Sequence, residues 1–306
     1  MEVLRAAGEP SRLRIVALLA QEELAVMELC QIMDQSQPRV SRHLRLLTAS
    51  GLVERFPDGG WVFYRLGADP VRRAVLDEIL SLLDPHDSAL ARDRDRLTAV
   101  RSERAARAEA YFERNAPRWD QLRSLYVSET DVEAAILAAA EGRYRRLIDL
   151  GTGAGRMLTL LAPRADAALG LDLSHEMLNI ARLRVAEAGL DHVELRHGDI
   201  FSTGLPDGAA DLVVVHQVLH YLGDPAAAVA EAGRLVAPGG RLLIVDFAPH
   251  ALEYLREAHQ HRRLGFPEEE MVRWLAAAGL KRPKVTTLPA SSAEGLTVKI
   301  WAADRK

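Results

Sequence analysis

Leu147-Ile148-Asp149-Leu150-Gly151-Thr152-Gly153-Ala154-Gly155 decides the architecture. A short apolar run reads as a buried strand, three alternate glycines follow it, and Arg156-Met157-Leu158-Thr159-Leu160-Leu161 opens a helix. Glycine permits unusual backbone angles and lets a ligand touch the main chain. The helix N-terminus offers unpaired N–H groups that suit a carboxylate or a phosphate. A turn of this kind sits at the carboxyl edge of an α/β sheet, where ligands bind. The dinucleotide fingerprint is G-x-G-x-x-G. Here the third glycine comes one residue early, and Arg156 stands where the fingerprint has glycine.

Ala168-Leu169-Gly170-Leu171-Asp172 reads as a second strand ending in an acid, about 20 residues beyond Gly151, where a carboxylate can accept from ribose hydroxyls. Ser174 caps a helix through Ala188. Met177 in its first turn has two readings, a surface for an adenine ring or core filler. Val193–Ile200 is a third strand ending in Gly198-Asp199, Asp211–Val215 a fourth, followed by His216-Gln217-Val218-Leu219-His220-Tyr221. Pro238-Gly239-Gly240 reads as a turn before a fifth strand, Arg241–Asp246.

Asp149 and the G-x-G-x-G spacing resemble motif I of the class I S-adenosylmethionine-dependent methyltransferases. With Asp172, Gly198-Asp199 and Pro238-Gly239-Gly240 following in order, roughly residues 110–302 resemble the small-molecule type related to ubiquinone and menaquinone biosynthesis enzymes. The resemblance implies a Rossmann-like α/β domain with a seven-stranded sheet. Its last strands fall at about Lys284–Leu288 and Leu296–Trp301, the final one antiparallel. It implies S-adenosylmethionine as cofactor, held by Asp149, Gly151, Thr152, Gly153, Gly155, Asp172, Leu173, Met177, Asp199, Ile200 and His216, with a small molecule as methyl acceptor. Transfer from an activated donor needs proximity above all, and a base only where the acceptor must lose a proton. His216, His220 and Tyr221 are the catalytic candidates, with Asp246 and His250 behind them. His216-Gln217-Val218-Leu219 lacks the Asn/Asp-Pro-Pro-Tyr/Phe of DNA amino methyltransferases, and one cysteine is too few for an arsenite methyltransferase. The His- and Arg-rich run Ala248 to Phe266 reads either as a pocket wall or as a solvated helix. Tyr111-Phe112-Glu113-Arg114-Asn115-Ala116-Pro117-Arg118-Trp119-Asp120 is similar to a segment that caps donor and substrate in many such enzymes.

The first 83 residues carry a different signal. Glu9–Leu19 and Leu24–Met33 read as helices. Asp34-Gln35-Ser36-Gln37-Pro38 is a turn into a third helix, with Val40, Leu44 and Leu47 on one face. Leu52–Phe56, Pro57-Asp58-Gly59-Gly60 and Trp61–Leu66 form a β-hairpin signal. Together these predict a winged helix-turn-helix (α+β) whose third helix enters a major groove. Gln37, Arg39, Ser41, Arg42, His43 and Arg45 are the candidate contacts to double-stranded DNA. Glu9-Pro10-Ser11-Arg12-Leu13-Arg14-Ile15, Ser36 to Leu44 and Gly51-Leu52-Val53 resemble the ArsR family of bacterial regulators. That resemblance implies a homodimer, packed through the first helix and a helix after the wing. Asp69–Leu83, with Val71, Val75, Ile79 and Leu82 as a stripe, fits the latter. The Cys-x-Cys of metal-sensing members would fall at Ala25 and Met27, and Asp84-x-His86 lacks its second histidine, so no metal site is expected.

Residues 84–110 alternate Arg with Asp and Glu and read as a solvated helical linker, leaving 111–306 for the methyltransferase domain. The 306 residues suffice for two domains, and 48 % hydrophobic residues for two cores. A net charge of −4 argues against a general basic coat but not against one basic helix. The lone Cys30 excludes an internal disulfide framework. Neither a membrane-spanning run nor a signal-peptide pattern appears, so a cytoplasmic protein is expected. The fusion has three readings: a regulator that methylates, a non-catalytic sensor of S-adenosylmethionine or S-adenosylhomocysteine, and an enzyme whose N-terminal domain only dimerises.

Overall fold

The computed structural model describes residues 2–58, 61–84, 86–115, 129–290 and 295–306. The chain divides into two compact units, Met1–Ala106 and Arg107–Lys306.

The first unit contains α1 (Glu2–Ala7), α2 (Pro10–Leu19), β1 (Leu24–Ala25), α3 (Val26–Met33), α4 (Gln37–Ala49), β2 (Val53–Asp58), β3 (Trp61–Leu66) and α5 (Pro70–Ser81). Helix α6 (Ser88–Asn115) runs through the boundary. Local chemistry sets the helix starts. The Glu9 carboxylate accepts from Arg12 N–H at 2.9 Å with Pro10 in the first turn, and Ser36 and Pro38 open α4. Val40, Leu44 and Leu47 are fully buried against Ile15, Leu29 and Leu52, so the apolar face of α4 lies inward as its spacing predicts. The helix expected from Leu24 begins only at Val26, because Leu24 and Ala25 pair with Tyr64 and Phe63 and add a strand to the wing. The sheet order is β1-β3-β2. The wing tip, Gly59-Gly60, lies outside the described residues.

Helix α6 differs from a solvated linker. Leu97 and Val100 are buried in the helix-turn-helix core. Asp93, 2 % exposed, accepts from Arg14 Nε and Nη2, each at 2.6 Å. Arg96 donates to Ile32 O and Asp34, and Arg101 and Arg104 both reach the buried Glu22. These four charged residues of α6 thus pair with α2, α3 and the segments beside them. On α5, Leu76 is buried whereas Val71 and Leu82 are exposed.

The second unit contains α7 (Glu129–Ala139), β4 (Tyr144–Leu150), α8 (Arg156–Leu161), β5 (Ala165–Asp172), α9 (His175–Glu187), β6 (Val193–His197), β7 (Ala210–His216), α10 (Pro225–Leu235), β8 (Val236–Phe247), α11 (Tyr254–His259), α12 (Glu268–Ala277), β9 (Lys284–Leu288) and β10 (Val298–Asp304). They form a seven-stranded sheet of order β6-β5-β4-β7-β8-β10-β9. The pairs from β6 to β8 are parallel, and β10 runs antiparallel to both neighbours. Successive side chains feed opposite layers. Leu147, Leu212, Val214 and Leu243 pack in one, and Ile148, Val213, Val215 and Leu242 in the other. The strand read from Arg241 begins earlier, at Val236, so Pro238-Gly239-Gly240 lies within β8, opposite a register shift between Ala210 and Leu212. From β4 the chain builds β5 and β6 on one side and then returns to β7 on the other. The switch point therefore opens at the carboxyl ends of β4 and β7.

The Asp93–Arg14 pair makes α6 part of the helix-turn-helix unit. Asp93→Ala strands the Arg14 guanidinium, and denaturant unfolding of that unit should lose about 3 kcal/mol. Arg96→Ala, on an exposed pair, should cost under about 1 kcal/mol in the same measurement.

Candidate functional site

The glycine turn is bolted to the end of β5. Gly151 N–H and Thr152 N–H both donate to Leu171 O at 2.8 Å. Gly153 N–H donates to Asp172 Oδ2 at 2.7 Å, and Ser174 N–H to Asp172 Oδ1 at 2.8 Å. Thr152 Oγ1 donates to Asp149 Oδ2 at 2.6 Å, so this buried carboxylate braces the turn from beneath. Burial raises the Asp172 carboxyl above its usual range, against the N–H groups of Ser174 and Gly153 and the nearby His197.

The three glycines serve different ends. Gly151 is overlaid by Val218, whose Cγ2 would lie 2.5 Å from an added Cβ. Gly155 is closed against Ala181 of α9, 3.0 Å from an added Cβ. At Gly153, with φ +52°, an added Cβ would meet nothing within 4 Å, so main chain there faces open space beside the Asp172 carboxylate. That cradle and the acid next to it fit a ribose-bearing ligand. Leu173 follows Asp172 and is 53 % exposed, and Phe201 follows Asp199-Ile200 and is 40 % exposed. Two bare apolar side chains beside the acids at the ends of β5 and β6 suit the faces of a planar base. Phe201 was missed in the sequence; its signal is an aromatic residue two positions after the Gly-Asp end of a strand. His197, stacked on His175 at 4.1 Å, fixes the Leu173 carbonyl through Nε2 at 2.9 Å.

Asp199 is exposed at the edge and accepts from Phe201 N–H at 2.9 Å. Ile200 and Met177 are buried, and Met177 packs with Ala154 and Ile180. His216 ends β7, half-buried. The segment Tyr111–Asp120 passes from the end of α6 beyond the described residues.

A second cluster stands at the ends of β7 and β8. His220 Nδ1 lies 2.8 Å from Asp246 Oδ1, both side chains being almost wholly buried. Rings of Tyr221, Phe247 and His261 lie 4.1, 4.9 and 4.2 Å from the His220 ring. His261 lies in the run that reads either as a pocket wall or as a solvated helix; the buried Arg263–Glu270 pair and the Arg262 and Arg263 N–H groups on His220 O draw its segment in. Burial and the neighbouring His220 push His250 down to about 4, and the same causes push His261 lower still. Among the described residues no group of three or more His, Cys, Asp or Glu side chains could hold a metal ion.

On the first unit, Gln37, Arg39, Arg42 and Arg45 are exposed on α4 and Ser41 is half-buried. His43 turns inward, its Nδ1 3.4 Å from Glu9 Oε2, and burial lowers its pKa. The exposed face of α4 is therefore an arginine face. No helix among the described residues is long and apolar enough to cross a membrane.

Residues 148–244 match the family described as methyltransferase domain, and residues 9–55 the bacterial regulatory protein, arsR family. A demethylmenaquinone methyltransferase of Thermus thermophilus is 35 % identical over 143 residues, 45 % of this chain and 64 % of that protein. An uncharacterized methyltransferase of Mycobacterium bovis is 30 % identical over 143 residues, 46 % of this chain and 71 % of that protein. This chain thus spans under two thirds of the Thermus relative. In fold, the second unit is similar to the N-methyltransferase NodS of Bradyrhizobium japonicum, solved with S-adenosyl-L-homocysteine. The TM-score is 0.55 at 20 % identity, over 65 % of this chain and 98 % of that one.

The neutral histidines set a pH dependence. Folding holds His250 below its ordinary 6.5, at about 4. Its contribution is whole above 6.5 and is lost as pH falls from there to about 4, because the unfolded chain takes the proton first. His261 extends the decline. Denaturation midpoints measured across this range should fall with pH, and His250→Gln should flatten the upper part of the slope.

Proposed function

Because the chain belongs to the methyltransferase family and carries an arsR-type helix-turn-helix, we propose that it is a DNA-binding regulator whose second unit binds S-adenosylmethionine and methylates a small molecule. The observation that carries this reading is the Asp172 carboxylate, fixed by Gly153 and Ser174 N–H beside an uncovered stretch of glycine main chain. Asp172 accepts from the ribose hydroxyls of the donor. Gly151, Thr152, Gly153 and Gly155 shape the turn that its amino-acid end approaches, with Asp149 bracing Thr152 and His216 at the adjoining strand end. Leu173 and Phe201 flank the base and Asp199 accepts from its amino group, over a floor of Met177 and Ile200. The bound sulfonium supplies an already activated methyl group; the protein supplies position and a dry site. Arg39, Arg42 and Arg45 contact phosphates or guanine edges, with Gln37 and Ser41 beside them, and a homodimer presents two such faces to an inverted repeat. The reading places the protein in the cytoplasm, with its DNA.

Calorimetry tests the donor half. The wild-type protein binds S-adenosylmethionine and S-adenosylhomocysteine, and Asp172→Ala, which loses charge-assisted bonds to two hydroxyls, raises Kd about 100-fold. An unchanged Kd overturns the reading.

The DNA half is tested with a duplex taken from upstream of its own coding sequence. Arg42→Ala and Arg45→Ala should each weaken binding with folding intact, and affinity should fall steeply with salt. Affinity indifferent to salt contradicts the groove assignment. A change in donor affinity when the duplex is added demonstrates coupling between the units, since linkage is reciprocal.

A further inference from the structure

We propose that His220, held by Asp246, is the proton acceptor of the methyl-transfer site, and that the acceptor molecule it serves arrives uncharged with an O–H as its nucleophile. This rests on the donor reading above and adds the chemistry of the other half of the site.

The first support is position. Val218 lies directly over Gly151 of the donor turn, and His220 follows two residues later. The segment leaves β7 through Gln217, a non-glycine residue at φ +53° whose N–H is tied to Val245 O at 2.7 Å. Left-handed backbone of this kind persists only where its surroundings hold it, and it is concentrated at functional sites.

The second support is the polarity of the pair. Asp246 Oδ1 already accepts from Phe247 N–H at 2.8 Å and takes the Nδ1 side of His220 at 2.8 Å. The Nδ1 nitrogen therefore carries the proton, and Nε2 is left with a lone pair. That Nε2 is buried and has no hydrogen-bond partner. A histidine kept only for packing normally satisfies both nitrogens. Asp246 Oδ2, His250 Nε2 and His261 Nδ1 are buried without partners in the same cluster. Three unmet polar atoms around an imidazole whose own Nε2 is unmet mark a place prepared for a polar group.

The third support is charge. The groups facing His220 are Asp246, Tyr221, His250 and His261, with Arg256 and Glu253 behind them as an ion pair at 3.3 Å. The nearby histidines resist protonation, and the one fully buried carboxylate is engaged by His220. An ammonium group would meet the same opposition, and the one buried carboxylate here is already engaged through Oδ1 by His220 and Phe247 N–H. A neutral hydroxyl meets acceptors and donors. It reaches Nε2 as the rings of Tyr221 and His261 give way. As its oxygen bonds the methyl carbon, the O–H proton passes to Nε2, and the carbon–sulfur pair leaves with sulfur as a neutral thioether. The imidazolium formed is stabilised by Asp246.

The test uses the full chain with S-adenosylmethionine and three probe acceptors at about pH 8: 4-methoxyphenol, largely neutral; 4-nitrophenol, largely ionised; and dimethylethanolamine, cationic. Release of S-adenosylhomocysteine is followed. The wild-type protein should methylate the phenols and not the amine. His220→Gln should lose about 100-fold on 4-methoxyphenol and less than about tenfold on 4-nitrophenol, which needs no base. Asp246→Asn should show the same selectivity, with donor binding by calorimetry unchanged in both variants. Nitrogen-15 spectra of the wild-type imidazole should report the Nδ1–H tautomer at His220, a readout independent of turnover and of whether the variants fold. Equal losses on both phenols, methylation of the amine, no transfer to any probe with donor bound, or an Nε2–H tautomer each overturn the proposal. A wild-type protein that fails to bind the donor instead overturns the reading on which it rests.

Discussion

The hydrogen bond from Gly153 N–H to Asp172 is the constraint on which the second unit's chemistry depends. It joins a turn after β4 to the last residue of β5, and the same carboxylate takes Ser174 N–H at the head of α9. With Leu171 O holding Gly151 and Thr152, and Asp149 holding Thr152 from below, the turn has little freedom left. A charge-assisted bond to a half-buried carboxylate is among the stronger ones available. The main chain at Gly153 is thereby held open without a side chain to fill the space. Val218 then closes over Gly151 and carries the constraint across to the segment that bears His220.

What was legible in the sequence is what local pattern controls. The strands alternate their side chains between two apolar layers, so Leu212-Val213-Val214-Val215 reads as a doubly buried strand before any contact is known. Asp and Gly at fixed offsets mark strand ends. The inward face of α4 follows from its three apolar positions. The pairing of His220 with Asp246 was only a list of candidates, since the two are 26 residues apart and meet only because β7 and β8 are neighbours.

The remainder was hidden because partners lay far along the chain. Asp93 and Arg14 are 79 residues apart, as are Arg101 and Glu22, so a run of mixed charges looked self-sufficient when its partners were on α2 and the segment before α3. Leu97 and Val100 are too few to give α6 a visible apolar stripe, yet they suffice once ion pairs orient the helix. His43 carried a polar signal on a basic helix, and only the fold brings Glu9 to it. His261 belongs to a run rich in exposed-type residues, and its burial depends on Arg263 finding Glu270.

Helix α6 is tied to the helix-turn-helix at the junction of α3 and α4. Arg96 grips Ile32 O and Asp34, and Arg14, itself fixed by Asp93, grips Met33 O. Those three residues are the last two of α3 and its C-cap, with Asp34 left-handed at φ 55°. Helix α6 is therefore fixed to the end of α3 and to the residue that opens the turn into α4. The same helix continues across the boundary between the units as far as Asn115. Coupling between any two units joined by one helix is limited in free energy to the difference in preference that their ligands have for its arrangements, however tightly either ligand binds.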